Sequence, residues 1–436
     1  MIYALFFFFF LTPWTVINAL ASNDKSPKKL VDPALSISAN AAAVDITTGT
    51  GALGKALRIR DSSGIRLGGM VITDMNMLLH GGSITPPRHR ISGDGLLILS
   101  LNIDLSKVIH LPGGSVEADF LQFNGKNVNE YAGCAQGYNS LPGPLPLKNR
   151  SQLYELWYRQ TLFKEKLIIR MGKTVPTYDF NNVIRPIVTQ DNSLAIPAVT
   201  GLIYTPVFVN SSMLGVMPGY YNSAYGLTVT ALPLSDTYFS YGIYDGNLAR
   251  GVQTGLKAWP TFNSYRFNIL EGGRSWTLGS QNKPGMFAFG GWLQTGILST
   301  GTGITENGAK GLYLFGSQRL WLKNPAIDSS GISMFYQFGV NNSVTLPFKR
   351  YLGFGATAFS LIPHRPQDSM GTGMALAWLN PALFTRTTEC MLQGYYQAYL
   401  TQGTYFVGAL SYIPNPGIPA HKKNAIAITA RLIALF

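Results

Sequence analysis

The sequence predicts an all-β fold, a transmembrane antiparallel β-barrel of about 16 strands with short turns at one end and long outer loops at the other. Two features of composition indicate this. Only 13% of the residues are charged and 46% are hydrophobic, whereas a soluble domain has about 25% charged residues. The apolar residues are spread among 47 Gly and 22 Tyr rather than collected in runs of about 18, as in membrane-spanning helices. Strands that face lipid on one side and water on the other produce this dilution.

The final segment, 425–436, shows the strand pattern most clearly. Counting back from Phe436 in steps of two gives apolar residues as far as Ile426, while the other face carries Thr429 and Arg431. Such a strand fits a wall between lipid and water, and it is long enough to cross a bilayer when tilted. A buried strand of a soluble sandwich would show the same pattern, so the rest of the chain must decide.

The N-terminus favours export. Residues 1–21 contain no charged side chain, hold a run of phenylalanines from Phe6 to Phe10, and end on the small-x-small triplet Ala19-Leu20-Ala21. This resembles a secretory signal peptide, although no Lys or Arg precedes the apolar core. We expect cleavage after Ala21. The predicted order is a signal peptide (1–21), a flexible or helical lead-in (22–58) and the barrel (59–436).

Sixteen segments combine apolar alternation with flanking turn residues. These predicted strands are 64–72, 94–104, 115–124, 153–160, 166–173, 223–231, 237–245, 264–271, 286–294, 311–321, 331–339, 351–360, 372–380, 390–400, 404–412 and 425–436.

The gaps between these strands alternate in length. Very short gaps include 161–165, 232–236 and 401–403, and long gaps rich in Gly, Pro and Asn include 73–93, 125–152, 174–222 and 246–263. Outer-membrane barrels have short periplasmic turns and long outer loops. The segment 174–222 is the candidate constriction, because a loop of that length is uncommon unless it is functional.

Alternation within the strands assigns the faces. In 94–104 the leucines Leu97, Leu99 and Leu101 oppose Ser100 and Asn102. In 153–160 the charged face is expected to hold Glu155, Trp157 and Arg159, and the lipid face Tyr154, Leu156 and Tyr158. The apolar sides should meet lipid and the charged sides water inside the barrel.

Charged residues inside the strands are the candidate pore-lining and selectivity residues. An Arg or Lys facing lipid near the membrane midplane costs about 2–4 kcal/mol, so these side chains should face the lumen. They either form ion pairs that stabilise the wall or set a transverse field that filters solutes. The candidates are Arg66, Glu117, Asp119, Glu155, Arg159, Arg170, Glu271 and Arg431.

No motif indicates catalysis, a cofactor or a metal, so we expect neither an enzyme nor a bound cofactor. The net charge is +13, but the basic residues are scattered, which does not favour a nucleic-acid partner. The basic excess instead suits an anionic membrane surface or a lumen that favours anions. Cys134 and Cys390 are too few for a disulfide scaffold, and they are either paired or both free.

Several fragments resemble the carbohydrate-selective porins of the OprB type from Gram-negative outer membranes. The fragments are Leu153-Tyr154-Glu155-Leu156-Trp157, Arg170-Met171-Gly172, Tyr244-Asp245-Gly246-Asn247, Pro284 to Trp292, Pro363 to Asp368 leading to Gly371 and Gly373, and Tyr412 to Gly417 followed by Ala427, Arg431 and Phe436.

This resemblance covers about 64–436 and implies a sixteen-stranded barrel in the bacterial outer membrane. It further implies passive passage of sugars, a homotrimer in lipid, and contributions of Glu117, Glu155 and Arg170 to the lumen. His364 stands where the family more often has a small residue, and the chain is more basic than the family. Both departures concern the solute more than the fold.

Three alternatives stay open. The basic excess fits an anion-leaning general porin. An exported all-β enzyme or lectin would need a convergent cluster of polar residues that the sequence does not show. An adhesive or structural barrel would have its lumen plugged, for which the segment 174–222 is long enough.

Overall fold

A computed structural model describes residues 51–82, 91–126, 128–141, 149–183, 199, 201–219, 222–250, 259–324, 330–418 and 423–436. The predicted signal peptide and most of the lead-in lie outside these residues, so both stay predictions.

Sixteen strands close into one antiparallel barrel in which each strand pairs with its sequence neighbours and β1 pairs with β16. Phe436 continues that seam, since its backbone N–H donates to the carbonyl of Gly69 at 2.9 Å. The strands are β1 Ile65–Gly82, β2 Ile91–Asp104, β3 Gly114–Asn124, β4 Asn149–Leu162, β5 Leu167–Thr174, β6 Ala224–Leu234, β7 Thr237–Asp245, β8 Arg266–Leu278, β9 Lys283–Ser299, β10 Thr305–Leu322, β11 Gly331–Asn341, β12 Phe348–Phe359, β13 Ser369–Leu379, β14 Thr388–Thr401, β15 Thr404–Ile413 and β16 Lys423–Leu435.

The helices of the described chain are single turns. The α-helices are α1 Ala52–Ala56, α2 Leu105–Val108 and α3 Val128–Ala132, and the 3-10 turns are Asp61–Ser63, Pro176–Tyr178, Thr205–Val207, Ser211–Met213 and Asn247–Arg250. Asp104 caps α2, because its carboxylate accepts the N–H of Ser106 at 3.0 Å. Within the described ranges, no helix has the length and apolar character needed to cross a membrane.

The predicted barrel and its sixteen strands are confirmed, but the predicted end of the first strand is wrong. β1 continues to Gly82, so the predicted gap 73–93 shrinks to 83–90. Asp74 and Asn76 interrupt the apolar pattern, yet both are buried on the inner face and pair across the seam with Arg431 and Thr429. In the sequence, these polar residues on the inner face of β1 could not be told from the start of a loop.

The two ends of the barrel differ. We call the end with Ile65 and Leu435 the terminal end and the end with Gly82 and Lys423 the loop end. At the loop end, long connections follow β3, β5 and β7, whereas β9 and β10 are joined by 300–304 alone. The predicted sorting of gaps by length thus holds in the first half of the barrel and is lost in the second.

The outer wall is apolar as predicted. Leu270, Leu312 and Leu432 are exposed at outward positions, whereas Arg431 and Thr429 point inward and are buried. The inner face is less polar than predicted, because residues such as Ile72 on β1 also lie in the buried apolar cluster that includes loop residues. Inward apolar side chains here pack beneath inserted loops instead of meeting water.

Tyr154 is the exception to the predicted alternation of β4. The register of β3 and β4 shifts between Asp119 and Phe120, whose partners are Glu155 and Leu153. Tyr154 is therefore an extra residue, as in a β-bulge. It is buried, and its hydroxyl lies 3.5 Å from that of Tyr178, so its predicted position on the lipid face is wrong.

Candidate functional site

The inner faces of β3, β4 and β5 form a charged wall that holds five of the eight candidate residues. Neighbouring strands place Asp119 opposite Glu155, and Arg159 opposite Arg170. The wall also includes Glu117, two residues from Asp119 on the same face of β3. Because strands lie about 4.8 Å apart, each pair brings two like charges close together, and Trp157 on β4 separates the acidic pair from the basic pair.

Arg170 is the centre of this wall. Its guanidinium forms an ion pair with Asp179, in the segment that follows β5. It also lies 5.3 Å from the centre of the Trp157 ring, within cation–π range. Asp179 accepts a second hydrogen bond from Thr228 on β6 at 3.0 Å. These contacts hold the start of the long segment against the wall.

The three acidic residues of the charged wall are buried. Ser100 on β2 donates to Asp119, and Asn102 donates to Glu117 at 2.8 Å. Glu155 accepts the N–H of Val175 at 3.0 Å. Each carboxylate therefore touches a neighbouring strand or loop, while the side chain of Arg170 keeps 13% of its surface exposed. The arginine side chain is therefore more exposed than the carboxylates.

Glu271 does not belong to the charged wall. It lies on the inner face of β8 and anchors the long segment that follows β5. Its carboxylate accepts the N–H of Asn181 at 2.7 Å and the hydroxyls of Tyr238 and Tyr313 at 2.7 and 2.8 Å. Asn181 has a left-handed backbone with φ of 51°. The buried carboxylate thus fixes a turn of the loop in the interior.

Arg431 belongs to the seam of the barrel. Its Nε and Nη2 donate to the two carboxylate oxygens of Asp74, both at 2.7 Å. Asn139, in the β3–β4 connection, joins them: it accepts from Arg431 at 3.1 Å and donates to Asp74 at 2.8 Å. The pair is fully buried, so it links the closing strands to an inserted loop. Arg66, in contrast, is exposed at the terminal end of β1.

A second wall, the inner faces of β11 to β14, receives the inserted segments, and we call it the loop-contact wall. Gln393 accepts the N–H of Ile203 at 2.6 Å and donates to the carbonyl of Tyr138 at 3.1 Å. Gln337 donates to the carbonyl of Pro206 at 2.7 Å. One side chain of this wall therefore binds both inserted segments, 128–141 and 201–219.

Glu389 is the carboxylate of the loop-contact wall. It accepts the backbone N–H groups of Ala135, Gln136 and Gly417 and the thiol of Cys134 at 3.2 Å. Burial, reinforced by Glu389, raises the pKa of the Cys134 thiol well above its usual range. Cys134 and Cys390 are both free thiols, which decides between the two states that the sequence left open.

Sequence reasoning missed Asp74, Glu389 and Gln393. Asp74 lies beyond the predicted end of the first strand, and Glu389 lies one residue before the predicted start of another. Gln393 lies inside a predicted strand but is uncharged, so a search for charges passes over it. Among the described side chains, no group of three or more His, Cys, Asp or Glu could hold a metal ion.

A closed sixteen-stranded barrel with an apolar outer wall, charges turned inward and loops inserted into its interior defines a porin, a channel of the bacterial outer membrane. The family can be named as well. The model of the carbohydrate-selective porin, OprB family, matches residues 88–436, which is most of the chain. The chain belongs to this family, as the fragments from Leu153 to Phe436 predicted, and it is an outer-membrane porin.

Solved structures agree with the fold. The chain is similar to the high-pH structure of Pseudomonas putida OprB, with 17% identity, a TM-score of 0.73, and coverage of 88% of this chain and 96% of that one. The low-pH structure of the same protein gives 13% identity, a TM-score of 0.57, and coverage of 89% and 99%. No curated protein matches this chain by sequence. At these identities the structural likeness supports the fold alone.

Proposed function

We propose that this porin lets sugars and similar small hydrophilic solutes diffuse passively, without a cofactor, an energy source or any enzymatic step. The observation that carries the proposal is the charged wall, where Arg170 lies beside Trp157 and near acidic side chains. Sugar hydroxyls both donate and accept hydrogen bonds, and sugar rings stack on aromatic faces. Mixed charges next to an indole suit both properties.

The segment 174–222 is proposed as the constriction. It is held at β4 through Glu155, at β8 through Glu271 and at β14 through Gln393. β4 and β14 lie six strands apart by the shorter way round the sixteen-stranded barrel, so the described parts of the segment that they anchor lie within the barrel. We propose that all eight candidate residues act on selectivity: Arg66, Arg159 and Arg170 by facing the solute, and the five buried ones by positioning the wall and loops.

The second candidate is the anion-leaning general porin suggested by the net charge of +13. The inner strand positions favour it less, because they carry charges of both signs. Acidic residues there include Asp74, Asp94, Glu117, Asp119, Glu155, Glu271 and Glu389, and basic residues include Arg66, Arg150, Arg159, Arg170, Arg319 and Arg431. Much of the basic excess therefore lies elsewhere in the chain.

Planar-bilayer recordings separate the candidates. A sugar channel should show conductance that mono- or oligosaccharides block, with weak ion selectivity in a salt gradient. Strong chloride preference without sugar block would favour the anion-leaning porin, and no conductance would favour a plugged barrel.

We further propose a homotrimer, with the loop end facing outward. Cross-linking in outer-membrane fractions and labelling of intact cells test these two points.

A further inference from the structure

The outer wall carries a groove that faces the membrane. Its volume is about 790 Å³, and its lining includes Tyr241, Leu270, Phe289, Leu312 and Lys310. The groove exists because Gly291 occupies an outward position between bulky neighbours. Gly291 is the register partner of both Leu270 on β8 and Leu312 on β10. A missing side chain in the middle of an apolar row leaves a channel in which an acyl chain can lie.

Cationic side chains stand at the loop end of this groove. Lys310 belongs to the next outward row, beside Leu293 and Asn268. Arg266 on β8 and Arg350 on β12 lie two strands away on either side. Arg266 is one outward row nearer the loop end and Arg350 is in the row of Leu312, so each is roughly 12 Å from Lys310. All three are exposed, and none forms an ion pair with a described acidic residue. The nearby Glu306 is engaged by the turn after β11, through the N–H of Val344 at 2.9 Å.

Among the strand residues with described side chains, β1 to β6 and β14 to β16 have no exposed Lys or Arg at the loop end, although Lys126, just after β3, is exposed there. Cations that merely follow the membrane surface would be spread around the rim. Three cations on alternate strands, beside and beyond the loop end of an apolar groove, instead match an anionic head group joined to acyl chains.

We propose that this groove is a binding site for a phosphorylated lipid, with an acyl chain over Gly291 and phosphate groups on Lys310, Arg266 and Arg350. The Tyr241 hydroxyl donates to Asn268 at 3.0 Å and closes the other side of the groove. The cations supply charge complementarity near the membrane surface, and the groove supplies apolar contact. Both parts are needed for preference over a zwitterionic lipid.

The test uses the full chain purified in zwitterionic detergent, with native mass spectrometry of retained lipid. The probes are bisphosphorylated lipid A, a monophosphorylated form, phosphatidylcholine and inorganic phosphate. We expect retention in that order, with none for inorganic phosphate. The double variant K310Q/R350Q should weaken lipid A retention by about 30-fold, and K323Q, an exposed cation of the terminal end, should leave it unchanged.

Filling the groove tests the acyl contact. An added Cβ at Gly291 would lie 3.1 Å from Leu312 Cδ2 and face outward, so G291L should fold and should weaken retention of every acylated probe. Equal retention of lipid A and phosphatidylcholine by the native protein would overturn the proposal. So would a G291L variant that keeps its lipid but loses its oligomeric state, since the groove would then be a contact between copies.

Discussion

The charged wall and the loop-contact wall lie on opposite sides of the same barrel and hold the interior in different ways. The charged wall uses side chains of both signs, and Arg170 binds the start of the inserted segment through Asp179. The loop-contact wall uses amides and one carboxylate, which bind loop backbone through Gln393, Gln337 and Glu389. The first wall should control which solutes pass, and the second should control where the loops lie.

The largest expected effect is at Glu389. E389A would leave the buried N–H groups of Ala135, Gln136 and Gly417 without their acceptor, at about 1–3 kcal/mol for each group. We expect a fall of several kcal/mol in the free energy of unfolding and faster maleimide labelling of Cys134, which is now buried and protonated. E389Q keeps one acceptor oxygen and should show a smaller change. Unchanged labelling of Cys134 would contradict the anchoring role.

Gly373 should move the loop without removing a charge. An added Cβ there would lie 2.9 Å from Leu202 Cδ1 and from the Tyr204 hydroxyl, so G373F should push the inserted segment off β13. We expect a larger single-channel conductance in planar bilayers. The matched control is G394A, on the neighbouring strand, where the nearest atom to a new Cβ is 3.8 Å away. A G373F channel of native conductance would mean that the segment does not limit flow.

Charge changes on the charged wall should alter the selectivity of the channel. R170A removes the pair with Asp179 and the contact with Trp157, so sugar block should weaken by about tenfold, or about 1.4 kcal/mol. R170A should also shift the reversal potential in a salt gradient toward cations, and E117Q should shift it toward anions. K107Q, exposed at the terminal end, is the control. If R170A and E117Q shifted the reversal potential in the same direction, the charged wall would not be what sets the ion selectivity.

The smallest effect is expected in the turn between β12 and β13, at the terminal end of the barrel and away from the side chains that bind the inserted segments. Asp368 accepts from Arg365 at 2.7 Å and from the N–H of Tyr399 at 2.9 Å. Burial opposes ionisation there, but these bonds and that from Tyr396 outweigh it and lower the pKa of Asp368 below 3.8. Its contribution to stability is therefore complete above pH 3.8 and is lost as the pH falls through the lower folded value.

D368N should accordingly lower Tm by roughly 1–2 °C at neutral pH, and the difference from the native protein should shrink below pH 3.8. Thermal unfolding in detergent across pH 3–7 measures this. A difference that stays constant down to pH 3 would show that the carboxylate is not the stabilising group. Neither the conductance nor the sugar block should change, because Asp368 contacts neither the inserted segments nor the charged wall.

The sequence predicted the strands better than it predicted the contacts inside the barrel. Alternation needs only near neighbours, so Leu97 and Leu99 could be assigned to the outer face, and Glu155 and Arg170 to the inner one. The end of β1 was predicted wrongly, because Asp74 and Asn76 are polar at positions where the pattern required apolar residues. Their partners, Arg431 and Asn139, lie far away in the chain, and no local pattern reveals such a pairing.

By itself the sequence determined the wall: sixteen alternating strands, and charges such as Arg170 and Arg431 that the cost of lipid exposure turns inward. Tertiary structure alone decided how the interior is filled. Gln393 and Gly373 look like ordinary strand residues in the sequence, and only the fold shows that they contact the inserted segment. Gly291 likewise forms a groove only because the fold places it between Leu270 and Leu312. The physical reason is separation along the chain. The face on which a strand residue lies follows from alternation between adjacent residues, whereas loop anchors and grooves depend on contacts between residues that are distant in the sequence.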